Sequence, residues 1–217
     1  MRWVSNVVLV VAAVAPFAAR AAPHSERPPQ LEGVDTSYGR IDGDFVLALS
    51  SGVAVGSRGP RGAIDARARF LDVAGLFVTY EDAFGGPSEP RRVLSVGADL
   101  RLVYLARWVQ GWHWAKPYAD LHVDSFSIEL GAAWMQPQAV PNWSRTQLHF
   151  ALALELPLLP HATGPWIGVR GGARWSDDAL ATTRTDSALD RSGFVMFTLG
   201  WHQVVNTGLV GGYSRKR

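Results

Sequence analysis

Val93 to Trp108 reads VLSVGADLRLVYLARW, and its side chains separate into two sets at every second residue. Leu94, Val96, Ala98, Leu100, Leu102, Tyr104, Ala106 and Trp108 fall on one face, while Ser95, Gly97, Asp99, Arg101, Val103, Leu105 and Arg107 fall on the other. Charges recur at a spacing of two, the period of an extended strand and not of a helix. Sixteen residues exceed the roughly 5 to 6 of an ordinary strand and pass the ~9 to 11 that a tilted strand needs to cross a bilayer. The stretch predicts a membrane-spanning strand, apolar toward lipid and polar toward a lumen.

The same alternation extends in both directions. Toward the N-terminus, a strand at Asp44 to Gly56 sets Phe45, Leu47, Leu49, Val53 and Val55 against small residues. A turn cluster at Arg58 to Gly62 precedes a strand in which Ile64, Ala66, Ala68 and Phe70 alternate with Asp65, Arg67 and Arg69. Asp72 to Gly75 is read as a tight turn, because Asp and Gly open and close such turns. That reading separates a third strand, Leu76 to Glu81, and sets the count at eight. Toward the C-terminus, Asp120 to Trp134 alternates in two phases, which predicts a bulge near Ser125-Phe126. Leu148 to Leu158, Ile167 to Trp175 and Gly193 to Val205 complete the set, with loops at Pro137 to Arg145, His161 to Pro165 and Ser176 to Arg191. The last loop is the longest, and placing the N-terminus in the periplasm sends it to the outer side.

The N-terminus follows a different rule. Arg2, an apolar run from Val7 to Ala19, and Ala19-Arg20-Ala21 have the form of a secretory signal peptide, residues 1–21. Residues 22–40 are Pro-rich and polar and predict a flexible periplasmic lead-in; 41–206 form the barrel and 207–217 a basic tail. The chain has no Cys, which excludes disulfides, thiolate metal sites and lipid attachment through Cys. The formal charge of +2 falls to zero once Arg2 and Arg20 leave with the leader, so a nucleic-acid partner is not expected.

Alternation alone does not say which face is inside. An eight-stranded barrel has an interior just wide enough to be filled by side chains, and the Leu, Phe, Tyr and Trp set would overfill it. A soluble barrel would carry many Lys and Glu on its wet face, yet Lys occurs only at Lys116 and Lys216. The apolar set therefore belongs outside, with Trp108, Trp112, Trp114, Tyr118, Trp166, Trp175 and Trp201 expected at the headgroup level, where amphipathic rings collect. On these patterns the chain resembles the small outer-membrane β-barrels of Gram-negative bacteria, such as the OmpA membrane domain and the OmpX and OmpW-like proteins. The resemblance implies an all-β, antiparallel up-and-down barrel in outer-membrane lipid, handled by periplasmic chaperones and barrel-insertion machinery during export. The chain departs from that pattern by ending on Ser214-Arg215-Lys216-Arg217, where such barrels usually finish on an aromatic residue.

Arg67, Arg69, Asp99, Arg101, Arg107, Glu129, Glu155, Arg170 and Arg174 are the expected lumen charges, a mixed-sign set suited to structural pairing. Glu155 is expected to meet Arg170 or Arg174, and Asp99 or Arg101 to meet Glu129, as neighbours on adjacent strands. His122, Asp124 and Ser125 are the most enzyme-like group and resemble the His and Ser pair of lipid A deacylases. Alternate residues of a strand point to opposite faces, so Ser125 would not share a side with His122. His149, Glu155 and His202 follow no recognised metal spacing. The reading is a monomeric structural or interaction barrel without cofactor; its alternatives are a lipid-modifying enzyme and a soluble exported lipocalin-like barrel that binds an apolar ligand.

Overall fold

In the computed structural model, eight strands follow one another in chain order: β1 (Phe45–Gly56), β2 (Gly59–Phe70), β3 (Ala74–Asp82), β4 (Arg92–Leu100), β5 (Phe126–Gln136), β6 (Arg145–Pro157), β7 (Gly164–Ser176) and β8 (Arg191–Val205). Each pairs antiparallel with the next, and β8 closes on β1 from Phe45↔Val205 to Gly56↔Phe194, so the sheet has no free edge. The structure describes residues 45–56, 59–86, 89–110, 117–139, 142–143, 145–181, 190–205 and 207. The predicted leader and lead-in, Trp112, Trp114 and the tail beyond Thr207 lie outside these residues, as does the side chain of Trp108.

Strand count is decided at Leu71 to Val73, where the amide of Val73 donates to the carbonyl of Phe70 at 3.0 Å. Leu71 and Asp72 sit at φ of 50° and 56°, which is easy for Asp and uncommon for Leu. The turn thus closes earlier than the Asp72 to Gly75 predicted, and Ala74 and Gly75 belong to β3. The cluster at Arg58 to Gly62 is corrected in the same way: Gly59 to Gly62 are strand residues that extend β2 and carry Arg61 into the interior.

The largest correction concerns Val93 to Trp108. The strand alternates as read up to Leu100 and then stops, because β3 begins at Ala74, the partner of Leu100, and offers nothing further to pair with. Backbone groups beyond that point must find partners outside the β3–β4 ladder. The Arg101 amide takes the Val73 carbonyl at 2.7 Å, the Leu105 amide takes the Arg101 carbonyl at 3.1 Å, and helix α1 (Leu102–Gln110) follows. Helix α2 (Pro117–Asp124) leads directly into β5, so the two phases read as a bulged strand are a helix joined to a strand at Ser125. The 25 residues from 101 to 125 form the longest connection of the barrel, on the rim opposite the 176–191 loop; that loop carries α3 (Asp177–Leu180).

The faces divide sharply. Outward positions are predominantly apolar on every strand, and large hydrophobics such as Leu49, Ile64, Leu76, Leu130, Leu152 and Leu199 are exposed. Among the described strand residues, outward-facing charges occur only at Asp82, Arg92 and Arg191, all on the rim away from α1 and α2. Inward positions carry mostly small residues and charges, with a few large side chains such as Phe77, Met135, Trp166, Phe194 and Met196 among them. Gly97 and Gly131 face each other across β4 and β5, and a Cβ on either would lie 2.2 to 2.3 Å from a neighbouring carbonyl oxygen. Only glycine fits where the two backbones run so close together.

Candidate functional site: the buried charge network

Because β2 alternates strictly, Arg61, Asp65, Arg67 and Arg69 all project inward from one strand. Arg67 is the centre of what they build. Its Nε donates to Asp65 at 2.8 Å, one terminal nitrogen to Asp99 at 2.8 Å and the other to Glu129 at 2.6 Å. Asp99 and Glu129 are direct cross-strand partners, and two carboxylates placed so repel each other. The planar guanidinium of Arg67 reaches both at once, which is the geometry Arg supplies and Lys cannot.

Two further layers continue from this centre. Toward the α1–α2 rim, Glu155 forms an ion pair with Arg69 at 2.9 Å and accepts a hydrogen bond from Arg101, while Arg101 reaches Asp72 at 2.7 Å. His202 stands 3.7 Å from Glu155 and stacks on Trp166, their rings 4.4 Å apart and nearly parallel. Toward the other rim, Glu81 receives Arg174 and, at 2.9 Å, Arg61. Arg174 also donates to His149 Nδ1 at 3.2 Å and covers the Phe194 ring at 4.1 Å. Arg170 crosses from β7 to Asp65 at 2.7 Å and comes within 3.6 Å of Glu129, joining the layers. Among the described side chains, six arginines (Arg61, Arg67, Arg69, Arg101, Arg170 and Arg174) thus meet six carboxylates (Asp65, Asp72, Glu81, Asp99, Glu129 and Glu155), and these twelve formal charges sum to zero. Neutrality and mutual hydrogen bonding are what a buried set of charges requires.

The structure therefore joins Arg67, Arg69, Asp99, Arg101, Glu129, Glu155, Arg170 and Arg174 in one interior. It does not place Arg107 there: Arg107 lies on α1 and bonds Asp124 at 2.6 Å and Asp120, because the strand that would have carried it inward has already ended. The pairing of Glu155 with Arg170 or Arg174 is likewise corrected. In register, Glu155 faces Gly168, and the two arginines reach across the interior to acids of β2 and β3. Asp65, Glu81, Arg61 and Asp72 complete the network and were not among the expected residues. Inward parity on β2 and β3 was the available signal for Asp65 and Glu81; Arg61 and Asp72 were hidden by the turn readings.

The aromatic set is redistributed too. Trp201 and Tyr118 are exposed and Trp175 is half-buried on the outward face, whereas Trp166 is buried inside against His202, as its even position on β7 requires. Tyr80 and Trp134 join Trp175 near one rim of the outward face, and Phe45, Phe70 and Phe126 lie near the other.

The enzyme-like group does not assemble. His122 is bonded through Nδ1 to the Tyr118 carbonyl at 2.6 Å, Ser125 is buried and donates to the His122 carbonyl at 2.7 Å, and Asp124 is held by Arg107. No nucleophile meets a base in this arrangement. Among the described residues no cluster of three or more His, Cys, Asp or Glu is arranged to hold a metal ion, and His149 and His202 serve different layers of the network. The sequence matches no protein-family model, no curated protein and no solved structure.

Proposed function

We propose that this protein is a β-barrel of the bacterial outer membrane, of structural or interaction type, whose lumen is a packed charge network and not a conduit. The observation that carries the reading is the inversion of the two faces: every strand turns apolar side chains outward, while six arginines and six carboxylates are shut inside. In water such a surface would be a continuous apolar patch far beyond the few hundred Å² that soluble monomers expose. In lipid it is the surface required, and closure of β8 on β1 pairs the backbone groups that a bilayer leaves without water. Strands of 9 to 15 residues meet the length that a tilted transmembrane strand needs. Aromatic side chains near both rims of the outward face match the headgroup levels. The signal-peptide pattern at residues 1–21 supports export.

A nutrient pore is disfavoured by width, since open aqueous channels require about 16 strands. A lipocalin-like role is disfavoured by the lumen chemistry, because an apolar ligand would have to displace paired charges. Fractionation of the expressed full chain tests the proposal. Recovery in the outer membrane, with a faster-migrating unheated band on a detergent gel, is expected. Release into the soluble periplasmic fraction would overturn it.

A further inference from the structure

The connection between β4 and β5 repeats the inversion of the barrel on a smaller scale. On α1, Leu102, Ala106 and Val109 share one face at the spacing of helical neighbours, and all three are exposed, Val109 at 73%. The opposite side holds Tyr104 and Arg107, both buried, and Arg107 is neutralised by Asp120 and Asp124 from successive turns of α2. A helix facing water would do the reverse, since charged side chains are the ones expected at the surface and apolar ones beneath.

The exposed stripe is continuous with the apolar belt. Leu100, the last outward residue of β4, is exposed, and Leu102 opens the helix two residues later. On the neighbouring side, Tyr118 is exposed and donates to the Pro157 carbonyl at 2.8 Å, fastening α2 to the end of β6. Leu158 and Leu159, also exposed, follow at once. Tyr118 brings an amphipathic ring to this level, as headgroup-layer side chains do.

We propose that α1 and α2 are a membrane-surface element: the Leu102, Ala106, Val109 stripe rests in the headgroup layer of the leaflet at that rim and extends the lipid contact beyond the strands. The inference rests on the reading of the barrel as a membrane protein, and the test separates the two. Because the chain has no Cys, a nitrobenzoxadiazole label can be placed through Val109→Cys, Leu102→Cys or Leu152→Cys, Leu152 lying on the outward face of β6. The full-length protein is refolded into phosphatidylcholine–phosphatidylglycerol vesicles that carry nitroxides either at the headgroup or at mid-chain. Expected is quenching of Val109 and Leu102 labels chiefly by the headgroup nitroxide, and of the Leu152 label chiefly by the mid-chain one. Helix labels open to aqueous iodide and untouched by either nitroxide, with Leu152 quenched, would overturn the helix proposal and leave the barrel reading standing. Helix labels shielded from iodide yet untouched by nitroxide would place a protein surface on the stripe and would also overturn it. A Leu152 label that neither nitroxide quenches would remove both readings.

Discussion

Replacing Arg67 with Met should destabilise the barrel by about 3 to 5 kcal/mol, the range for removing one partner of a buried charge pair. The side chain is fully buried and holds three carboxylates, two of which, Asp99 and Glu129, face each other in register. Two such charges about 5 Å apart repel by about 3 kcal/mol at an effective dielectric of about 20. Arg69 at 2.6 Å from Asp99 and Arg170 at 3.6 Å from Glu129 offset part of that repulsion, which places the expected loss near the lower end. If this account is right, Glu129→Gln added to Arg67→Met should recover about 1 to 3 kcal/mol, because it removes one of the two repelling charges. Chemical unfolding from detergent micelles, followed by the heat-modifiable gel band and by Trp fluorescence, measures each corner of the cycle. Additivity within about 0.5 kcal/mol would refute the bridging role of Arg67. A control cycle of Glu155→Gln with Arg174→Met should be additive within that margin, since Glu155 bonds Arg69 and Arg101 whereas Arg174 bonds Glu81 and His149.

Leu152→Arg, on the exposed outward face of β6, should cost on the order of 2 to 4 kcal/mol in a bilayer, while the inward Ala153→Ser should change little; vesicle unfolding titrations that rank them the other way would invert the faces. Gly97→Ala forces a Cβ to 2.3 Å from the Leu130 carbonyl oxygen and should cost at least about 1 to 3 kcal/mol of the kind that overpacking brings. Gly171→Ala meets nothing nearer than 3.9 Å and should stay within about 0.5 kcal/mol; equal midpoints for the two glycine variants would show that β4 and β5 can part. Arg107→Ala should speed amide exchange in α1 and α2 and leave the strands protected, and unchanged exchange in the two helices would mean that the Asp120 and Asp124 bonds do not hold them together.

The barrel was legible because large apolar residues on the outward side and small or charged ones on the inward side leave a period of two that survives almost unbroken along each strand. Parity alone puts Asp65, Arg67 and Arg69 inside and Ile64, Ala66 and Ala68 outside, which the structure shows. Parity was also the better guide where it was overruled: Trp166 shares a face with Arg170 and Arg174, and a preference for Trp at interfaces set that aside. The failure at Leu102 to Gln110 has another origin. Leu102, Ala106 and Val109 fit a helical face, while Leu102, Tyr104, Ala106 and Trp108 fit a strand face, so the same residues satisfy both periods. What breaks the tie is the start of β3 at Ala74, which depends on where the preceding turn closes, and that turn uses a positive φ at Leu71 that its residue type does not advertise.

The identities of the interior partners were hidden by reach. In a flat sheet, neighbouring strands set the candidates, and on that rule Glu155 belongs with Arg170 or Arg174. Eight strands closed into a barrel bring the far wall within the length of an arginine, and Arg170 on β7 pairs with Asp65 on β2 while Arg101 beside β4 pairs with Glu155 on β6. Such cross-lumen pairs tie strands that share no backbone hydrogen bond. They set the shape of the interior against alternatives in which a strand slips, since a slip of one residue would turn Arg67 or Asp99 toward the apolar side. Buried ion pairs often add little net stability against an apolar core. Here an apolar core of equal size would erase the contrast between the two faces, and with it the signal that fixes each strand's register. The network is therefore best understood as the element that gives β2 to β7 one permitted orientation, and the Arg67 cycle measures how firmly it does so.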